Sequence, residues 1–245
     1  MKKIHVLIGG LSAFVLLVGF QQASKSTPAD PLMAGFAKST VASVADAVDQ
    51  VVGQRGYMNH DMRPRVGNKI VGRAATALVK PATPEMSTPA LSTKHSVEMI
   101  DESQPGEVAV IVMDGEVDVA AIGGLMATAA KSRGMAGMVL DGGVRDLAEI
   151  RALGLPVFAR YISPGTAVGR YASVAKNIEV TCGGIRVRTG DVIVAGEDGV
   201  VVVPKEKEQE VLKRAQEIDD RETKMVPFIK QFKSLGQTIV KFNRI

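Results

Sequence analysis

From Val41 to Val52 the chain sets Val41, Val44, Ala45, Val48 and Val52 at helical spacing, with Asp46 and Asp49 between them. That pattern predicts an amphipathic helix covering one face of a sheet. Further along, the period shifts to short apolar runs. Ile70 to Val79 reads as a strand broken by small residues and Val108 to Met113 as a second. Alanine-rich Ala120 to Lys131 predicts a helix, Met135 to Leu140 a strand, Asp146 to Leu153 a short helix, and Pro156 to Tyr161 another strand. Alternating strand and helix imply βαβ units with parallel pairing. Between Ile178 and Pro204, Val/Ile runs are punctuated by Gly183-Gly184, Gly190-Asp191 and Asp198-Gly199, the pattern of antiparallel hairpins. The expected fold class is therefore α/β with mixed sheets.

Two stretches depart from this alternation. Lys80 to Ser92, rich in Pro, Thr and Ser, predicts a loop able to fold over a site. From Lys205 the chain is charged and helical, with Val211, Ala215, Ile218, Glu222, Met225, Ile229 and Phe232 on a seam with steps of four and three. Glu222 interrupts that seam, Pro227 is expected to kink or split the helix, and Gly236 to end its second part. The N-terminus differs again. Lys2 and Lys3 precede an apolar stretch from Val6 to Phe20, followed by polar Gln21 to Lys25, as in a secretory signal. The stretch is short beside the ~20 residues of a bilayer span. Gln21 occupies a position that favours a small residue if cleavage follows Ala23, so an uncleaved anchor is the alternative. The expected organisation is a signal peptide or anchor over 1–23, a linker over 24–36, an α/β domain over 37–204 and a helical tail over 205–245. The expected location is exported, periplasmic or secreted, or else membrane-anchored through the N-terminal segment alone.

Composition adds limits. The 245 residues are 46% hydrophobic with no Trp, enough for a well-buried core. A net charge of +4 is spread among acids and is not gathered with aromatics, so nucleic-acid binding is not indicated. Cys182 is the only cysteine, which rules out an intrachain disulfide and, by its distance from the apolar segment, a lipoprotein anchor.

Candidate chemistry is densest at Asp141-Gly142-Gly143-Val144-Arg145-Asp146-Leu147-Ala148-Glu149, where a strand gives way to a helix. Open α/β sheets bind ligands at such strand ends. A purely structural account is also available, with Asp146 as an N-cap and Glu149 as its capping-box partner. A second turn, Ile122-Gly123-Gly124-Leu125-Met126, opens the alanine-rich helix and offers backbone N–H groups to a carboxylate or phosphate. On neighbouring parallel strands the two junctions would face one crevice holding an anion cradle, a carboxylate and a guanidinium.

The run Gly124 to Gly134, followed by Gly137-Met138-Val139-Leu140-Asp141-Gly142-Gly143-Val144-Arg145-Asp146 and Leu155-Pro156-Val157-Phe158-Ala159-Arg160, resembles the central motif of one family. That family is typified by the regulator of ribonuclease activity A and the 4-hydroxy-4-methyl-2-oxoglutarate aldolases. The likeness extends from about Val41 to Pro204. It implies a swivelling β/β/α sandwich and assembly as trimers or pairs of trimers. In the aldolases it implies Asp146 as ligand of Mg²⁺ or Mn²⁺ and Arg145 as the substrate and enolate contact. The Gly124, Leu125, Met126 and Ala127 turn would cradle the carboxylate of a small 2-oxo acid, and Glu222 would be supplied by a neighbouring subunit. The implied activity is metal-dependent cleavage releasing pyruvate, with oxaloacetate decarboxylation alongside. One departure is plain: family aldolases carry an acid where this chain has Gly124. Asp114, Glu116 and Asp118 are the sequence's candidates to replace it. The departure favours a second reading, a non-catalytic binding or regulatory protein, although an export signal argues against an intracellular ribonuclease as partner.

Overall fold

The computed structural model describes residues 30–243 apart from 87, 116 and 117; the export segment expected over 1–23 lies outside them. The described chain begins with α1 (Pro31–Phe36), then α2 (Val41–Val52), β1 (Arg63–Val66) and β2 (Ile70–Pro81). α3 (Pro89–Glu102), β3 (Val108–Met113), β4 (Ala120–Ile122), α4 (Gly124–Ser132), β5 (Gly137–Val144), α5 (Leu147–Leu153) and β6 (Val157–Ile162) follow. Strands β7 (Tyr171–Lys176), β8 (Val180–Cys182), β9 (Ile185–Val187), β10 (Val192–Gly196) and β11 (Gly199–Val203) lead to α6 (Glu208–Phe232) and α7 (Leu235–Phe242). Among these residues no helix is long and apolar enough to cross a membrane.

The mixed sheet runs β1-β6-β5-β3-β2-β10-β11, with β4 added to β5 and β7 to β2, while β8 and β9 form a separate hairpin. The central strands β2, β3, β5 and β6 are parallel, and β4 joins β5 in parallel. The remaining pairings are antiparallel. β2 is long and pairs with different strands along its length. Its first residues pair with β10 and its last with β7, while β3 runs along the opposite edge.

Strand alternation assigns side chains to layers. In β3, Ala109, Ile111 and Met113 face the core under α3, α4 and α5, whereas Val108, Val110 and Val112 face the core shared with the β8–β9 hairpin. In β10 and β11, Ile193, Ala195, Val200 and Val202 enter that second core. Val192, Val194, Val201 and Val203 enter a third, covered by α1, α2 and α6. Helix, sheet, sheet, helix is the resulting order, in agreement with the expected sandwich of mixed sheets.

Several expectations need correction. Residues 31–36 of the expected linker form α1, started by Asp30, whose side chain accepts from the Leu32 N–H, and Phe36 is fully buried. The helical tail is equally part of the body, since Val211, Leu212, Ala215 and Ile218 fill the third core. The loop expected over Lys80 to Ser92 is mostly structured: β2 continues to Pro81, and α3 starts at Pro89, capped by the Thr88 hydroxyl. Thr before Pro is a legible helix start, and it was hidden by the surrounding turn-forming residues. Pro227 lies inside a continuous α6; the chain turns instead at Lys233, in a left-handed conformation, and Gly236 falls in the first turn of α7. Phe228 holds this region together against Phe232 and Phe242, with ring centroids 6.0 and 5.3 Å away, which offsets the backbone hydrogen bond that proline removes.

Two expected outcomes follow from this packing. A Cβ on Gly72 would lie 2.1 Å from the Gly106 carbonyl oxygen, a backbone atom that cannot swing aside. Gly72→Ala should therefore lower stability by about 3 kcal/mol, read as a shifted urea midpoint. Burial, reinforced by nearby Asp141, pushes the Cys182 thiol well above its ordinary range. The native protein should resist thiol reagents until it unfolds. It should also lose stability as pH rises past about 8.5, where the unfolded chain releases a proton that the folded chain keeps.

Candidate active site

Beyond Met113, where β3 ends, β4 takes its place beside β5: Ala120 pairs with Gly143 and Ile122 with Val144. The expected helix over Ala120 to Lys131 thus gives up its first residues to a strand, and the expected strand ending at Leu140 runs on to Val144. Glycines permit both. A Cβ on Gly142 would sit 2.5 Å from Met113 Sδ, and one on Gly143 2.6 Å from the Tyr161 ring and 2.8 Å from the Val119 carbonyl. Asp141, carried into β5 by this extension, is buried and spoken for. Its oxygens accept from Arg160 Nη1 at 3.0 Å and from the Gly183 N–H at 2.7 Å.

Two parallel strands therefore end side by side, each handing over to a helix, and the two junctions meet. The Arg145 N–H donates to the Ile122 carbonyl at 3.2 Å, and the Gly124 N–H donates to Asp146 Oδ2 at 2.8 Å. The capping-box account of the acids does not hold. Asp146 stands at the N-cap of α5, but its side chain makes no bond there, and its backbone is left-handed (φ 59°, ψ 41°). The Glu149 side chain makes no hydrogen bond among the described residues. A left-handed non-glycine residue costs about 1–2 kcal/mol. Here it aims the Asp146 carboxylate across to the start of α4, where the positive end of the helix dipole favours it.

Gly123 is required by the same geometry, since a Cβ there would lie 2.5 Å from Asp146 Oδ2 and 3.0 Å from Arg145 Nε. Gly123 belongs to the turn expected to open the alanine-rich helix, and its role here is to leave room for Asp146 and Arg145. Of the four residues expected in the cradle, Gly124 gives its N–H to Asp146, and Ala127 gives its own to the Gly123 carbonyl at 3.1 Å. Leu125 and Met126 keep N–H groups without a protein partner among the described residues. The cradle is thus two donors wide. Arg145 Nε is 3.8 Å from Asp146 Oδ2 and both side chains are part-exposed, a loose pair that leaves guanidinium donors for a ligand. Tyr161, beside Gly143 on β6, has its phenol pushed above the ordinary range by burial and by Asp118.

Asp114 pairs with Lys80 at 3.1 Å, the main chain of Asp118 accepts from Ser163 Oγ, and Glu116 lies outside the described residues. Glu222 sits on α6, in the layer that covers β10 and β11, at the edge of a groove with Asp46, Met225, Val226, Ile229, Leu235 and Ile239. Arg145 and Asp146 sit on the other side of the fold, by α4 and α5. Leu125, 90% exposed, and Ile162, 54% exposed, leave an apolar rim around an open strand-end site.

Among the described residues no three His, Cys, Asp or Glu side chains gather as metal ligands. Asp146 offers one carboxylate beside water-accessible space. Such a donor set suits Mg²⁺ or Mn²⁺, hard ions that retain several waters and take one or two carboxylates. It does not suit a zinc or calcium cage.

Residues 41–202 match the family model described as RraA-like, Aldolase/RraA. Over 118 residues the chain is 39% identical to a Halalkalibacterium halodurans protein provisionally named a 4-hydroxy-4-methyl-2-oxoglutarate aldolase, covering 46% of this chain and 54% of that one. The chain thus spans about half the length of the curated relatives it matches. Among solved structures, an uncharacterised protein of Pseudomonas syringae pv. tomato superposes with a TM-score of 0.74 at 27% identity, covering 85% of this chain and 96% of its own. RraAS2 of Streptomyces coelicolor, described as an unusual member of the RNase ES inhibitor RraA protein family, gives 0.70 at 27% identity, covering 80% and 96%. With the family model spanning both strand-end junctions and most of the sheet, the chain belongs to the RraA-like aldolase/RraA family.

Proposed function

We propose that the protein is a divalent-metal-dependent lyase that cleaves a small 2-oxo acid to release pyruvate, in the manner of a 4-hydroxy-4-methyl-2-oxoglutarate aldolase, with oxaloacetate decarboxylation as a side activity. The observation that carries this reading is the meeting of two parallel strand ends, which puts the Leu125 and Met126 N–H groups, Arg145 and Asp146 around one opening. The N–H pair binds the substrate carboxylate and fixes the adjacent 2-oxo group. Arg145 supplies a fixed positive charge toward the enolate left when the carbon–carbon bond breaks. Asp146 would hold Mg²⁺ or Mn²⁺, and the bound ion would supply Lewis acidity toward the 2-oxo acid. Retro-aldol cleavage and decarboxylation leave the same enolate, which accounts for both activities at one site. The open rim at Leu125 and Ile162 and the placement of Glu222 on another layer support a homotrimer or hexamer in which Glu222 reaches a neighbour's site. Export or N-terminal anchoring, read from residues 1–23, is part of the same proposal.

Gly124, in place of the family acid, supports a second reading as a non-catalytic binding or regulatory protein. Pyruvate release from 4-hydroxy-4-methyl-2-oxoglutarate and from oxaloacetate separates the two. The purified chain should turn over with Mg²⁺ or Mn²⁺, and chelator or Asp146→Ala should abolish the reaction; turnover no greater than that of Asp146→Ala would favour the binding role. Arg145→Ala should lose about 10²–10³ in kcat. Gly123→Ala should lose at least tenfold with little change in melting temperature, because its Cβ displaces the reacting side chains while leaving the core untouched. Co-expressed Asp146→Ala and Glu222→Gln chains, each inactive alone, should recover roughly a quarter of wild-type activity if each site is shared between subunits and assembly is random. No recovery would place each site within one chain.

A further inference from the structure

We infer that Glu149 is the second carboxylate of this site, a positioning residue that supplies a metal at Asp146 with the charge missing at Gly124. The inference rests on the metal-dependent reading above and specifies how this chain satisfies it. One carboxylate neutralises only half the charge of a divalent ion, and an Asp146 oxygen is already engaged by the Gly124 N–H. Two other acids of this end of the sheet are paired: Asp114 with Lys80, and buried Asp141 with Arg160 and the Gly183 N–H. Glu149 is exposed, stands one turn into α5 from Asp146, and its side chain makes no hydrogen bond or ion pair among the described residues.

Its location is fixed by what a side chain at position 124 would meet. A Cβ built on Gly124 lies 3.5 Å from Glu149 Cβ, 3.6 Å from Asp146 Cβ and 3.7 Å from Asp146 Oδ2. Positions 124, 146 and 149 therefore open onto one gap between the starts of α4 and α5. The acid that the family resemblance places at 124 would grow into this gap from the α4 side; here a longer acid enters it from α5. The glycine keeps the gap clear for Glu149, whose side chain reaches far enough to offer an oxygen directly or through water. The carboxylate has changed helices while serving the same volume.

Mn²⁺ binding followed by electron paramagnetic resonance tests this without reliance on turnover. Four forms of the full chain are compared: wild type, Glu149→Gln, Asp146→Ala, and Glu149→Gln combined with Gly124→Asp. The Gln variant preserves the surface helix, and the Cβ at 124 makes only ordinary contacts, so folding is not at stake. Glu149→Gln should weaken Mn²⁺ about 10- to 100-fold, and adding Gly124→Asp should restore most of that loss. Unchanged affinity in Glu149→Gln, with binding abolished in Asp146→Ala, would overturn the role of Glu149 and leave the metal site standing. Weakening that Gly124→Asp fails to repair would overturn the shared gap. Absence of Mn²⁺ binding in the wild type, or binding indifferent to Asp146→Ala, would remove the metal reading and this inference with it.

Discussion

Everything at the site depends on close approach between backbones at the C-terminal end of β5. Gly142 and Gly143 have Met113, Tyr161 and the Val119 carbonyl within distances that no Cβ could occupy. Their bareness lets β4 dock beside β5 after β3 has ended, and that docking places the start of α4 next to the start of α5. Without it the cradle and the Arg145-Asp146 pair would be separate features on one surface. The left-handed backbone at Asp146 completes the arrangement, because it turns the carboxylate away from its own helix and toward the neighbouring one. Packing energy in the core beneath α4 and α5, from Val144, Ile150 and Ala127 among others, sustains that local strain.

The electrostatics of the opening are correspondingly simple. Two unused N–H groups, the positive end of α4 and Arg145 favour an anion, while Asp146 favours a cation. A ligand that is itself an anion chelating a cation satisfies both demands at once, as a 2-oxo acid with a divalent ion does. The exposed Leu125 and Ile162 give the opening a dry border suited to a covering surface.

Much of this fold was legible because continuous apolar runs such as Val108 to Met113 and the helical period of Val41 to Val52 are strong signals, and both elements appear with the expected bounds. The less legible parts share a physical cause. β4 is a three-residue strand inside an alanine-rich stretch whose local preference is helical, and only pairing with β5 decides its state. α3 was concealed by the turn-forming residues in front of it. β7, whose sequence Tyr-Ala-Ser-Val-Ala-Lys alternates weakly, owes its existence to the free half-edge of β2. At the site, the residue identities were readable from the two glycine-bearing junctions. The direction of the Asp146 side chain, the loss of the Ala127 donor and the proximity of Glu149 to Gly124 were not, since each depends on how two helix starts distant in sequence are set against one another.

The long β2 carries a different implication, concerning the order in which the molecule assembles. Its first half finds β10 only after more than a hundred intervening residues have been made, and its second half finds β7 almost as late. Such distant pairing is slow, because the chain entropy of closing large loops is lost before the contacts form. Until residues 171–203 emerge, β2 is an unfinished edge and the apolar inner faces of α1 and α2 have no strands to cover. β10 and β11 supply the face on which α6 packs, so the helix bearing Glu222 has no seat until those strands have joined the sheet.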